Sequence, residues 1–292
     1  MYELCCIGHI TSDRIVTPHS VTHLPGGTAY YFSHAVRNMG IAYRLVTAVG
    51  DAEKQYVADL AALGIDVQVL PSEHTVCFEN SYGEDQDHRT QKVSRKADPF
   101  RASDFSAINA AIFHLGPLLA DDMPAQLIRE LSGKARISLD VQGFLREVVE
   151  EDVRAIDWQQ KKELLPFVHY LKANEDEAKV LTGYSDPRRS AQVLAQWGVK
   201  EVILTLGSKG SLIFSDGIFY QIPAYRPPVL TDATGCGDTY MAGYLSRRCK
   251  ENDIQSSGEF AAAMATWKIR SSGAFSGSLN DVQYVMDTYA HS

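Results

Sequence analysis

The 292-residue chain predicts an α/β fold: a mainly parallel sheet with helices on both faces, plus a small β lid. Three observations carry that expectation. Short continuous apolar runs alternate with segments of helical period, glycine closes many of them, and two polar stretches break the alternation without helical spacing. "LCCIGHI" reads as a strand buried on both faces. "GGTAYYFSHAVRNMG" reads as a helix through Tyr31, Ala35 and Met39 that stops at Gly40. "YRLVTAVGD" is a second strand, "EKQYVADLAALG" a helix and "IDVQVL" a third strand. The strand "AAIFHLG", the helix "MPAQLIRELSG" and the strand "ARISLDV" continue the pattern. "FVHYLKAN", the helices "EDEAKVLTG" and "PRRSAQVLAQWG", and the strand "KEVILTLG" follow. "GSLIFSDGIFYQIP" is a hairpin turning at Ser215-Asp216-Gly217, and the final helix runs through "SSGEFAAAMATWKIR".

The chain reads as one domain over residues 1–292, with lid segments at about 10–25 and about 74–97. The first, "ITSDRIVTPHSVTHLP", alternates apolar and polar residues. The second, "HTVCFENSYGEDQDHRTQKVSRKA", reads as two polar strands around the turn "YGEDQD". Open α/β sheets bind ligands beyond the carboxyl ends of their strands, where such a flap would cover a site. An edge extension or a dimer contact reads almost as well.

Composition excludes several functions. Apolar residues make up 45% of the chain, formal net charge is -8, and no Lys/Arg block occurs, which argues against nucleic acid or anionic membrane as a main partner. No apolar run reaches bilayer length, and "MYELCCIGHITSD" has no basic region before its apolar stretch, so neither a membrane span nor a secretory signal is expected. Cys5, Cys6, Cys77, Cys236 and Cys249 form no CxxC pair, which suits a reducing cytoplasm. No HExxH or GxSxG occurs, so zinc and serine-hydrolase chemistry are not expected.

"TDATGCGDTYMAGYL", residues 231–245, places Gly235, Cys236, Gly237 and Asp238 where a helix is about to begin. The sequence alone allows a turn with a helix cap, or an anion cradle with a base at its edge. Amides at a helix start attract phosphate, the glycines let backbone approach a ligand, and a first-turn carboxylate could take a proton from an incoming hydroxyl.

The segment "DATGCGDTYMAGYL" resembles the C-terminal signature of the ribokinase or PfkB-type carbohydrate kinases, D-T-x-G-A-G-D. "LPGGTAYYFSHAVRNMG" resembles their N-terminal Gly-Gly signature, "KANEDEAKVLTG" their N-x-x-E motif, and "VILTLGSKGSLIF" their nucleotide loop. The resemblance implies a Rossmann-like, ribokinase-like domain under a β lid, using ATP and Mg2+ to phosphorylate a sugar or polyol hydroxyl. By position it makes Asp238 the base, and the amides of Gly235, Cys236 and Gly237 the anion hole. It assigns Asn174 and Glu177 to the metal–nucleotide complex, Glu177 acting on magnesium through water, although Asn174 as a cap with Glu177 closing a capping box fits equally. Thr205, Gly207 and Gly210 match the nucleotide loop. Asp232 and Thr234, with the later "SSGAFSG", resemble a monovalent-cation site, which implies K+; Lys268 lies in a segment flanking the base.

For the acceptor, the resemblance places Asp13 on sugar hydroxyls beside Gly26 and Gly27; a carboxylate can accept hydrogen bonds from both hydroxyls of a vicinal diol. Tyr31 stands where the family commonly has asparagine, which weighs against ribose and fructose. The middle segment, "ISLDVQGFLR" and "GGTAYYFS" resemble the inositol kinase branch, so a cyclic polyol such as myo-inositol is the expected acceptor. Asp140 and Gln142 end a strand at the matching edge for the acceptor or the γ-phosphate, and Arg146 and Arg89 are candidate phosphate contacts. The alternatives are a nucleoside kinase of the same superfamily and a sensor without turnover. A monomer and a lid-mediated homodimer are both compatible with the sequence. At the helix N-terminus, Cys236 is expected either to gain thiolate character or to be an inert stand-in for alanine, the latter being preferred.

Overall fold

The computed structural model describes residues 1–16, 19–82, 89–251 and 253–289. The chain opens with β1 (Tyr2–Gly8), β2 (Thr11–Val16), β3 (Val21–Gly26) and α1 (Gly27–Val36), then β4 (Tyr43–Val49), α2 (Lys54–Ala62) and β5 (Asp66–Pro71). β6 (Cys77–Tyr82) and β7 (Arg89–Arg95) precede β8 (Ala110–Gly116), α3 (Ala125–Ser132) and β9 (Arg136–Asp140). β10 (Arg146–Val149), β11 (Asp152–Ala155) and α4 (Lys161–Leu164) lead to β12 (Tyr170–Asn174), α5 (Glu175–Thr182), α6 (Pro187–Gln196) and β13 (Glu201–Thr205). β14 (Ser211–Ser215), β15 (Ile218–Ile222), α7 (Cys236–Arg248), α8 (Ile254–Lys268) and α9 (Leu279–Thr288) complete it.

Leu4, Cys5, Cys6 and Ile7 of β1 are wholly buried, the signature of a strand covered on both faces. β1 accordingly sits inside a nine-stranded sheet of order β15-β14-β13-β12-β9-β8-β1-β4-β5. Strands β5 through β13 in that order are parallel, and β14 and β15 are antiparallel at one edge. Two apolar cores flank the sheet, one including Phe113, Leu139 and Leu171, the other including Phe32, Met241 and Ala261. The chain winds outward from β1 to β5 on one side, then restarts at β8 on the other. That reversal opens a crevice at the carboxyl ends of β1 and β8, where open α/β sheets hold ligands.

A second sheet of order β10-β11-β7-β6-β2-β3 stands on this edge. Val76, Phe78 and Val93 pack with Leu118 and Leu119, which follow β8, and so fasten it to the main sheet. Burial of such a side chain contributes about 1.5–3 kcal/mol. The turn expected at "YGEDQD" falls largely at residues 83–88, outside the described residues. Among the described residues no helix is long and apolar enough to cross a membrane.

One expectation is corrected and one element was missed. The last helix is α9, not the one through "SSGEFAAAMATWKIR". Ser278 and Asp281 form a capping box at its start, and Val282 and Val285 bury its inner face. The hairpin β10–β11 was not legible because its turn uses Glu150 and Glu151 at φ 57° and 98°, without glycine to announce it.

Candidate active site

The segment from Thr231 to Asp238 is clamped between α8 and the start of α7. The amides of Thr231 and Asp232 donate to Ile269 O at 2.8 and 3.2 Å, and Thr231 Oγ1 donates to Arg270 O at 2.9 Å. Asp232 Oδ1 accepts from the amide of Thr234 at 2.9 Å, and the amide of Cys236 donates to Ala233 O at 3.1 Å. Gly235 then takes φ 75°, and a β-carbon there would stand 2.3 Å from the Tyr31 ring. Only glycine satisfies both the left-handed backbone and that contact. The first-turn amides of α7, Gly237 and Asp238 among them, have no carbonyl partner within the helix and carry its positive end.

Asp238 lies in this first turn, partly open to the crevice yet closely surrounded by protein. Its carboxyl is pushed up to about 6, first by desolvation and then by Asp140, while Lys172 and a hydrogen bond with the Thr28 side chain hold it down. Thr28 belongs to the Gly-Gly segment that begins α1, so the two glycine motifs meet at this carboxylate.

Behind Gly237 lies a cation not singled out from the sequence. Lys172 is 6% exposed, its Nζ donates to Asp140 Oδ2 at 2.9 Å, and a β-carbon on Gly237 would be 3.3 Å from that Nζ. Burial alone would pull its pKa down, but Asp140, Glu177 and Asp238 outweigh burial and hold it raised. A buried ammonium beneath helix-start amides adds a full charge to their partial ones. Asp140 is thus turned inward: 3% exposed, it serves Lys172 and accepts from the amide of Gln142 at 3.1 Å, so it is not open to an acceptor as expected.

Asn174 and Glu177 form a reciprocal cap on α5. Asn174 Oδ1 accepts from the amide of Glu177, and Glu177 Oε2 from the amide of Asn174, both at 2.8 Å. Glu177's carboxyl is raised by desolvation against the pull of Lys172, with Arg146 of β10 also lowering it. Arg146 therefore stands within electrostatic reach of this cluster.

From the start of α7 a groove of about 840 Å³ runs between the turn after β13 and the end of α8. Asn174, Thr205, Gly207 and Gly210 line it with Tyr225, Leu230, Cys236, Gly237 and Ile269, mostly apolar surface closing on the amides of α7. Such volume and lining suit an aromatic ligand with a charged tail. On the other flank, a β-carbon on Gly26 would be 2.5 Å from Asp13 Oδ2, so the Gly-Gly pair lets that carboxylate sit against the start of α1. The Tyr31 hydroxyl is raised by burial and then by Asp13, Asp232 and Asp238, which places the ring among the three carboxylates. The side chain of Arg89 lies outside the described residues.

Of the two readings of Cys236, its surroundings oppose thiolate character, the less favoured one. Burial raises its pKa to about 11 against the help of Lys268, and Sγ faces Ala265 O at 3.7 Å. Desolvation, with Asp232 and Asp238 adding to it, outweighs the ammonium of Lys268. Cys236 is therefore expected to alkylate far more slowly at neutral pH than an unperturbed thiol; peptide mapping of iodoacetamide labelling checks this, and preferential labelling of Cys236 contradicts it.

The pattern of the pfkB family carbohydrate kinases matches residues 1–281. A cytidine kinase of Thermococcus kodakarensis is 31% identical over 256 residues, which cover 84% of this chain and 88% of that enzyme. A pyrophosphate-dependent kinase of the ribokinase family, solved with a pyrophosphate analog and myo-inositol, superimposes with a TM-score of 0.86 at 29% identity, covering 96% of this chain and 99% of the other. Arabidopsis thaliana ribokinase, complexed with ribose and ATP, gives a TM-score of 0.83 at 21% identity over 98% of each chain, a likeness of fold. With two glycine motifs meeting at one carboxylate and a family match over nearly its whole length, the chain belongs to the pfkB family of carbohydrate kinases, phosphotransferases acting on hydroxyl groups of sugars, polyols and nucleosides.

Proposed function

We propose that this kinase uses ATP to phosphorylate a hydroxyl of a cyclic polyol, with myo-inositol as the expected acceptor. The observation that carries the reading is the two-sided start of α7: a groove of about 840 Å³ ends at Cys236 and Gly237 on one flank, and Asp238 reaches Thr28 on the other. The groove supports a nucleotide over bare pyrophosphate, which would leave its apolar length unused. Asp13 and Tyr31 would hold the acceptor, with the second sheet serving as a lid over it.

Asp238 then takes the proton of the attacking hydroxyl, and the amides of α7 with Lys172 stabilise charge on the transferred phosphoryl group. Magnesium fits as an ion carried in by the nucleotide, since among the described residues no group of three or more His, Cys, Asp or Glu is placed to hold a metal ion. Glu177 would touch it through water, and the ion's chemistry is to neutralise phosphate charge. Free cysteines throughout support work in a reducing compartment such as the cytoplasm.

A carboxyl near 6 predicts the pH profile. Protonated, Asp238 cannot accept the hydroxyl proton, so kcat/KM should rise as pH climbs through about 6 and level off above it. A profile flat down to the ordinary carboxylate range would show that this carboxyl is not raised, and the absence of any acid limb would remove Asp238 as the base.

The cytidine kinase at 31% identity favours a second reading, a nucleoside acceptor. ATP and pyrophosphate should be compared as donors across inositols, pentoses, hexoses and nucleosides. Turnover with ATP and myo-inositol is expected. Preference for cytidine overturns the polyol, and activity with pyrophosphate alone overturns the nucleotide.

A further inference from the structure

The monovalent-cation site implied by the resemblance does not fit the residues present. Lys268 ends α8 and is 1% exposed. Its Nζ donates to the main-chain oxygen of Asp232 at 2.8 Å and lies 3.2 Å from Asp232 Oδ2. Of the three oxygens Asp232 could offer an ion, an ammonium holds these two, and the third, Oδ1, accepts from the amide of Thr234. Asp232's carboxyl is kept below the usual range despite burial, through hydrogen bonds from Thr234 and Lys268.

The placement has a mechanical consequence. Thr231, Asp232 and Thr234 shape the turn that sets Gly235 and the first amides of α7, and Ile269 and Arg270 anchor that turn to α8. A positive charge at Asp232 therefore ties the phosphate-facing loop to the helix behind it. A free ion would have to share Asp232 with a buried ammonium at close range, where like charges repel strongly.

We infer that Lys268 is a built-in replacement for the monovalent cation, so that this kinase needs neither K+ nor any other monovalent ion to order its anion-binding loop. The inference rests on reading residues 231–238 as that loop. Its test compares K+, NH4+ and choline chlorides at matched ionic strength, with thermal midpoint and ATP turnover as separate readouts. The parent protein should give the same midpoint in all three salts and turnover rates that differ little. Turnover rising about fivefold or more in K+, the lower end of ordinary effector coupling, overturns the inference.

Lys268→Ala removes the charge and leaves room. Its midpoint should fall in choline and recover in NH4+ or K+. A variant as stable as the parent in choline, or equally destabilised in all three salts, marks Lys268 as packing only and also overturns the inference. If no acceptor is phosphorylated the kinase reading fails, yet the midpoints still decide the cation question. The parent's salt response requires no variant to fold.

Discussion

Asp238→Asn is expected to lower kcat by about 10²–10⁴-fold while leaving the protein folded. The amide keeps the carboxylate's shape and can still accept from Thr28, but it cannot take a proton. Stability should move the other way. Folding raises this carboxyl, so the native state binds its proton more tightly than the unfolded chain does. The group's contribution to folding is therefore full below the ordinary carboxyl value of 3.8 and is lost as pH rises through about 6. Well above that value Asp238→Asn should have a thermal midpoint equal to or higher than the parent's. Retention of full turnover would refute the assignment, and a collapsed midpoint would show that Asp238 serves the fold instead.

The same arrangement shows what a sequence exposes and what it hides. The parallel sheet was legible because Leu4–Ile7 and Val202–Leu204 are unbroken apolar runs, which only a doubly covered strand tolerates. The loop at Gly235 was legible because backbone at positive φ against an aromatic ring leaves glycine as the one choice. Lys172 was not, since one lysine in "YLKAN" reads as a strand end meeting water. Its counter-charge, Asp140, lies 32 residues earlier and meets it only through the pairing of β9 with β12, where Asp140 opposes Lys172. Thr28 was missed likewise: nothing in "GGT" says which distant carboxylate the hydroxyl will meet. Lys268 looked like a flanking residue because the residue it meets, Asp232, lies 36 positions earlier and offers it a main-chain oxygen as well as its carboxylate. Local geometry is written locally; charge pairing across strands is not.

Lys172→Met should be the most disruptive single change in the site. It leaves Asp140 buried without its partner, and breaking a buried pair from one side costs about 3–5 kcal/mol. Turnover should fall by about 10²–10³-fold, the loss typical of a preorganised donor to transition-state charge. A purely structural lysine would produce the first effect and some of the second, so two further readouts are needed. Lys172 now holds Asp238's carboxyl down; without it the acid limb of the pH–rate profile should move to higher pH. The double variant Lys172→Met with Asp140→Asn removes both charges, and replacing a buried pair by uncharged groups is often neutral or stabilising. Its midpoint should return toward the parent's. Because Asp140 raises Asp238 and Lys172 lowers it, the acid limb should also move back. Turnover should nevertheless stay low, for nothing in the double variant supplies the charge beneath Gly237. Recovery of turnover together with stability would reduce Lys172 to a counter-ion for Asp140, and the phosphoryl charge would then rest on the α7 amides and the metal alone.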